Sequence, residues 1–190
     1  MSERLSQNNN TISFEELVRL FKKLKAENKP VITLKDAVLM LLYVQKNKPI
    51  YGRILLFKEV FLLYEEILKK YKEQFILENP RYEPYKYGPY SFRLADLLEQ
   101  LYWAGFIEII GRRNTRLEAF IITDKGIKEI ERKFELLPVE LREEIAKKRQ
   151  GWDQLGVHGI LKYVYQKYPQ YKINSKIKDK YKEIIWGGKG

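Results

Sequence analysis

Between about residues 53 and 75 the chain carries a helical pattern whose apolar arc is too broad for a surface helix. Its charged residues Lys58, Glu59, Glu65, Glu66, Lys69 and Lys70 form one stripe, and nearly every other position is apolar. A helix of this kind is central and packs on several neighbours, so the rest of the chain must supply a core around it. The stripe reads as the solvated face, and Leu62 within it as an ordinary exposed leucine. In 190 residues, one core plus an appendage is the expected organisation. A hydrophobic fraction of 45% with 14% aromatics is ample for that core and argues against disorder.

The neighbours can be read along the chain. Residues 1–12 read as a flexible leader, and Ser13 as the cap of a helix carrying Phe14, Leu17, Val18, Phe21 and Leu24. Asn28-Lys29-Pro30 ends that run. Thr33 caps a helix over roughly 34–46, and Lys48 to Gly52 form a turn into the central helix. Asn79 to Pro89 read as a loop with three prolines. Ser91 caps a helix over about 92–104 with Leu94, Leu97, Leu98, Leu101 and Tyr102 turned inward, ended by Gly105. Phe106–Ile110 and Glu118–Ile122 read as two strands joined by the loop Gly111–Leu117. Thr123 or Asp124 caps a further helix with Ile127, Ile130 and Phe134. Beyond Pro138, two helices are expected over roughly 139–149 and 154–167, then a short basic one from Ser175.

Helix, turn, helix, helix and a hairpin with a loaded tip is the element order of a winged helix. Ile121 to Gly126 also resembles the end of the wing in many winged-helix regulators. The expected fold is therefore mostly α (α+β): a winged-helix-like core over about 34–136 with a two-stranded wing, plus N- and C-terminal helical additions. Residues 13–185 form one domain in this reading, with C-terminal helices over about 138–185 and a frayed tail at 186–190.

Several function classes fall away on inventory. No apolar run approaches the roughly 18–20 residues needed to span a bilayer, and Met1 to Asn10 lack the apolar stretch of a secretory signal. With no cysteine, disulfides and thiolate chemistry are excluded, which suits the reducing cytoplasm. One histidine, His158, cannot assemble the usual zinc or nucleophilic sites. Its spacing from Leu155 and Leu161 reads as a half-buried packing residue. No phosphate-cradling glycine loop is present. The pairs Glu15-Glu16, Glu65-Glu66 and Glu143-Glu144 lie among lysines and read as solvated helix faces. The chain is expected to be a binding protein with no catalytic residue, metal or cofactor. Richness in Lys, Glu, Ile and Tyr is that of a heat-adapted protein.

A net charge of +11 suits a polyanionic partner or a soluble surface, and its distribution separates the two. Residues 73–105 carry three basic and five acidic side chains, whereas 151–190 carry eight basic and three acidic. The sharpest signal is the hairpin tip, where Arg112, Arg113 and Arg116 with Asn114 could meet phosphates or a narrow minor groove. Simple solubility of an exposed turn is the competing reading. The helix that would read bases offers Ser91 and Arg93, but also Asp96, Glu99 and Gln100, and acids there repel a DNA backbone. Lys172, Lys176, Lys178, Lys180 and Lys182 with Tyr171 and Tyr181 suit backbone contact, or the solvated face of a docked amphipathic helix.

Gly52 to Leu62 is similar to the opening helix of the SocA-like antitoxin family, also called Panacea. Tyr85-Lys86-Tyr87-Gly88-Pro89-Tyr90-Ser91 resembles that family's Tyr-Gly-Pro-Tyr/Phe-Ser signature, followed as there by an amphipathic helix and a Gly-Phe-Ile turn. Tyr163 to Pro169 and Asn174 to Ile177 resemble the C-terminal pattern of related phage-associated proteins. The resemblance covers about residues 34–180. It implies an accessory protein that recognises a protein partner such as a toxin, with Tyr85, Tyr87, Gly88, Pro89, Tyr90 and Ser91 as its shared surface or structural corner. Phe57 stands where a glutamine is common, and the arginine-rich tip is not general to the family. Read from its residues, the signature is a stiff Gly88-Pro89 turn, a Ser91 cap and packed tyrosines. The expectation is thus a module for a protein partner. A DNA-binding winged helix, as a homodimer presenting both wings, is the alternative.

Overall fold

The computed structural model describes residues 15, 18, 19, 28–113, 115 and 117–175. The expected leader, most of the helix from Ser13, and the basic segment after Ser175 with Lys176, Lys178, Lys180 and Lys182 lie outside the described residues, as do Asn114 and Arg116. The protein is a mixture of helices and small sheets: β1 (Val31–Ile32), α1 (Leu34–Tyr43), β2 (Ile50–Tyr51), α2 (Arg53–Leu62), β3 (Ile76–Leu77), β4 (Glu83–Tyr85), β5 (Gly88–Tyr90), α3 (Phe92–Trp103), β6 (Ile107–Ile110), β7 (Ala119–Ile122), α4 (Asp124–Glu135) and α5 (Val139–Lys167).

Local chemistry explains where the helices begin. Thr33 closes a capping box on α1: its hydroxyl accepts from the Asp36 amide at 3.1 Å, and the Asp36 carboxylate accepts from the Thr33 amide at 2.8 Å. Ser91 caps α3 through the Leu94 amide at 3.1 Å, and Thr123 caps α4 through Gly126 at 3.1 Å. Ala37 to Leu42 of α1 are all buried, so this short helix is enclosed nearly all round.

The central helix is more deeply enclosed than its sequence suggests. Lys58, Glu59 and Glu66, assigned above to the solvated stripe, are buried, and so is Leu62. The stripe opens to solvent only further on, at Lys69 and Lys70. The reason is α5, which folds across this side of α2 and brings the countercharges with it. The helix also changes pitch, passing from α2 into a π turn at Leu63–Ile67 and a 3₁₀ turn at Leu68–Tyr71.

Three small sheets punctuate the helices. β2 pairs antiparallel with β7 (Ile50 opposite Phe120, Tyr51 opposite Ala119), making the expected hairpin two strands of a three-stranded sheet in the order β2-β7-β6, with β7 in the middle. What read as a turn over Lys48–Gly52 therefore contains a strand. The supposed loop Asn79–Pro89 is preceded by β3, which runs parallel to β1, and contains the β4–β5 hairpin. That hairpin turns at Lys86-Tyr87. Pro89 is a strand residue, and Gly88 sits at φ 86° with its α-carbon against the Tyr165 ring.

The two C-terminal helices join differently from expectation. They run on as α5 and meet at Gly156, whose φ of 60° and ψ of −173° break the helical path. The break removes the regular one-turn spacing between Leu155 and His158, while His158 and Leu161 stay on one helical segment. His158 is exposed, not half-buried, while Leu161 is in the core.

Candidate functional site

Four constellations carry most of the polar chemistry, and three of them are interior. Glu59 and Arg149 are fully buried, with the Arg149 Nε 3.1 Å from the Glu59 carboxylate. Arg149 also pairs with Asp153, which Lys48 approaches at 3.4 Å. Burial pushes the Glu59 carboxyl up to about 8 even though Arg149 and Lys48 oppose the shift.

Glu66 lies in the π turn, and its carboxylate accepts from the Tyr163 hydroxyl at 2.7 Å and Lys167 at 2.8 Å, with Lys148 at 3.5 Å. Burial would raise this carboxyl, but the Lys167 and Tyr163 hydrogen bonds outweigh it and hold it below its ordinary value. Lys58 is the third interior group. It donates to the Pro89 carbonyl at 2.8 Å, and burial pushes its ammonium down to about 7. These groups pin α2 to α5 and to the β4–β5 hairpin.

The Tyr-Gly-Pro-Tyr signature belongs to that same corner. Tyr90 stacks on Phe57 at 4.8 Å and meets Tyr85 and Phe92 at 4.9 and 5.0 Å. Phe57 thus occupies its unusual position as a stacking partner. Gly88, Pro89 and Ser91 are buried, and Ser91 spends its hydroxyl on the Leu94 cap and the Pro80 carbonyl. Ser91 is therefore a cap and not a surface available to nucleic acid. Within the motif only Lys86 and Tyr87 are exposed, at the hairpin turn.

The fourth constellation is at the surface, where α3 meets the β6–β7 tip. Phe92, Asp96, Glu99 and Trp103 follow one another at i, i+4, i+7 and i+11, so they share one face about 16 Å long. Phe92 and Trp103 are 51% and 75% exposed, unusual for large aromatics on a helix with a well-buried opposite side. Glu99 is held from both flanks. Arg53 reaches its Oε1 at 3.3 Å, and Arg113 from the tip pairs with its Oε2. Arg53 also pairs at 2.9 Å with Glu118, a buried carboxylate just ahead of β7. The Arg113 guanidinium lies 4.4 Å over the Tyr102 ring and 5.4 Å over that of Trp103, and among the described residues its buried Nε has no hydrogen-bond partner.

The tip arginines are thus not equivalent. Arg112 is exposed, whereas Arg113 is folded onto α3. Arg93 is likewise engaged, pairing with Glu78 and donating to the Asn79 carbonyl at 2.9 Å. Sequence reasoning named Arg113, Glu99 and Asp96 but missed Arg53, Phe92 and Trp103. The signal lay in the helical wheel: with Leu94, Leu98 and Leu101 facing inward, aromatics at 92 and 103 fall on the outward side.

Among the described residues no helix is long and apolar enough to cross a membrane, and no group of three His, Asp or Glu side chains converges as a metal site. The chain matches no protein-family model and no curated protein.

Proposed function

We propose that this chain is a non-catalytic, cytoplasmic binding module with a winged-helix core, and that it meets a protein partner through the outward face of α3 and the adjoining wing. The winged-helix assignment is supported by the chain order α1, β2, α2, α3, β6, β7 and by the pairing of β2 onto the β6–β7 hairpin. The observation that carries the protein-partner reading is Arg113, drawn off the wing tip onto Glu99 and Tyr102 beside an exposed Trp103. A wing that reads DNA presents its guanidiniums outward, and a recognition face with Asp96 and Glu99 repels phosphates. Exposed aromatics beside arginine are the side chains that anchor protein interfaces. The resemblance to SocA-like antitoxins points the same way and suggests a toxin as the partner.

Nucleic acid is the second reading, favoured by exposed Arg112 and the +11 charge. One pair of measurements separates the two. Affinity capture from the source cells is compared between wild type and Trp103→Ala, and random-sequence duplex is titrated by fluorescence anisotropy at two salt concentrations. The protein reading expects a captured species that the variant loses, together with weak DNA binding indifferent to Arg112, Arg113 and Arg116. Tight, strongly salt-dependent duplex binding abolished by changing those three arginines to alanine overturns it.

A further inference from the structure

Glu99 occupies the position that a partner's carboxylate would take. Arg53 and Arg113 come from different elements, the first turn of α2 and the tip beyond β6, and converge on the two oxygens of one side chain. Guanidinium N–H groups are the usual partners of a carboxylate, and here two arginines each give one Nη2 to Glu99. The site they form is closed by an internal residue that is itself partly exposed, as are both guanidiniums. Glu99 takes only that one nitrogen from each arginine, and the Arg53 Nε is already spent on Glu118. One wall of the site is the Tyr102–Trp103 pair, with Trp103 open to solvent.

We propose that this site binds an acidic peptide segment of the partner, one carboxylate displacing Glu99 between Arg53 and Arg113 while an adjacent apolar side chain packs on Trp103. The inference rests on the protein-partner reading and adds the chemistry of the partner. A nucleic-acid backbone fits less well, because Asp96 lies one helical turn from Glu99 on the same face and meets the next phosphate unfavourably. A single carboxylate next to an apolar residue avoids that clash. Glu99 then acts as a competitor held in place, lowering the affinity for weakly acidic segments and raising selectivity.

The test uses the full chain and a short fluorescein-labelled peptide in which a single glutamate adjoins a phenylalanine. Anisotropy is measured for wild type, Glu99→Gln, Arg113→Lys, Arg53→Ala and Trp103→Ala, each checked for an unchanged thermal transition. Removing the internal competitor should tighten binding roughly tenfold in Glu99→Gln, the scale of one charge-assisted hydrogen bond. Arg113→Lys should weaken it although the charge is kept, because the guanidinium is lost. Arg53→Ala is expected to destabilise the fold by exposing Glu118, so Arg113→Lys carries the arginine arm if that variant melts early. Unchanged or weaker binding in Glu99→Gln overturns the proposal. So does duplex DNA binding more tightly than the peptide with the same arginine dependence, which would make the arginine pair a phosphate reader. A captured partner that needs Trp103 yet ignores Glu99→Gln and Arg113→Lys would leave the protein-partner reading standing and remove the acidic-peptide assignment alone.

Discussion

The ammonium of Lys58 is buried beneath the β4–β5 hairpin and donates to the Pro89 carbonyl at 2.8 Å. Its folded-state value falls to about 7 from an ordinary 10.5. Between those two values the unfolded chain binds a proton that the folded chain does not, so Lys58 makes stability rise as pH increases through that window. Chemical denaturation of wild type and Lys58→Met at intervals from pH 7 to 10 should show the difference moving toward wild type by roughly a few kcal/mol. A difference that stays flat over this range would mean that the buried amine keeps its proton.

Glu59 and Arg149 form an ion pair that the interior hides completely. Removing Glu59 leaves the buried Arg149 guanidinium with Asp153 as its remaining carboxylate partner, and removing Arg149 leaves the Glu59 carboxyl buried without its guanidinium. Each single change thus strands buried polar atoms at a cost of about 1–3 kcal/mol. Replacing both by apolar groups avoids that, and Asp153 then keeps Lys48 at 3.4 Å. Denaturation midpoints should therefore rank Glu59→Leu and Arg149→Met each below the double variant. A double variant as unstable as the sum of the singles contradicts this account.

Glu66 responds to pH in the opposite region. Its folded value is depressed, so its contribution is present above the ordinary carboxylate range and is lost as pH falls through the folded value. Glu66→Gln should be less stable than wild type at neutral pH, and the two should converge in acid. Thermal melts at pH 7 and pH 3 read this directly.

The Tyr-Gly-Pro-Tyr motif is predicted to be a structural corner, which sorts its residues by cost. Tyr90→Ala removes a ring stacked on Phe57 and should cost about 3 kcal/mol. Gly88→Ala places a methyl 3.0 Å from the Tyr165 ring at a φ that favours glycine, so it should be more damaging than Gly156→Ala, where the φ is also positive but the space is open. Tyr87→Ala, at the exposed turn, should lie within about 0.5 kcal/mol of wild type. A large loss of stability on Tyr87→Ala would sink this ranking.

The elements that the sequence made legible are those whose cause is local. Thr33, Ser91 and Thr123 each cap their helix through the residue three positions on, and the inward set Leu94, Leu98 and Leu101 follows from helical period alone. The tip with Arg112 and Arg113 was visible for the same reason, as a turn between two short apolar runs. The breadth of the apolar arc over 53–75 identified a central helix correctly.

Tertiary structure decided everything that depends on what arrives from far along the chain. Lys58, Glu59 and Glu66 look like a solvated stripe until α5 and the hairpin supply Arg149, Tyr163, Lys167 and the Pro89 carbonyl. A charge pattern gives surface and paired interior the same signature. β2 and β3 are two-residue strands, too short to show a period, and exist only because β7 and β1 lie beside them. The joint at Gly156 broke the spacing implied between Leu155 and His158, and His158 is exposed. Arg113 is the sharpest case. Composition makes it a free cation at a turn, and only the fold brings Glu99 and Tyr102 beneath it, so the character of the surface is set by a contact between residues that local sequence cannot pair.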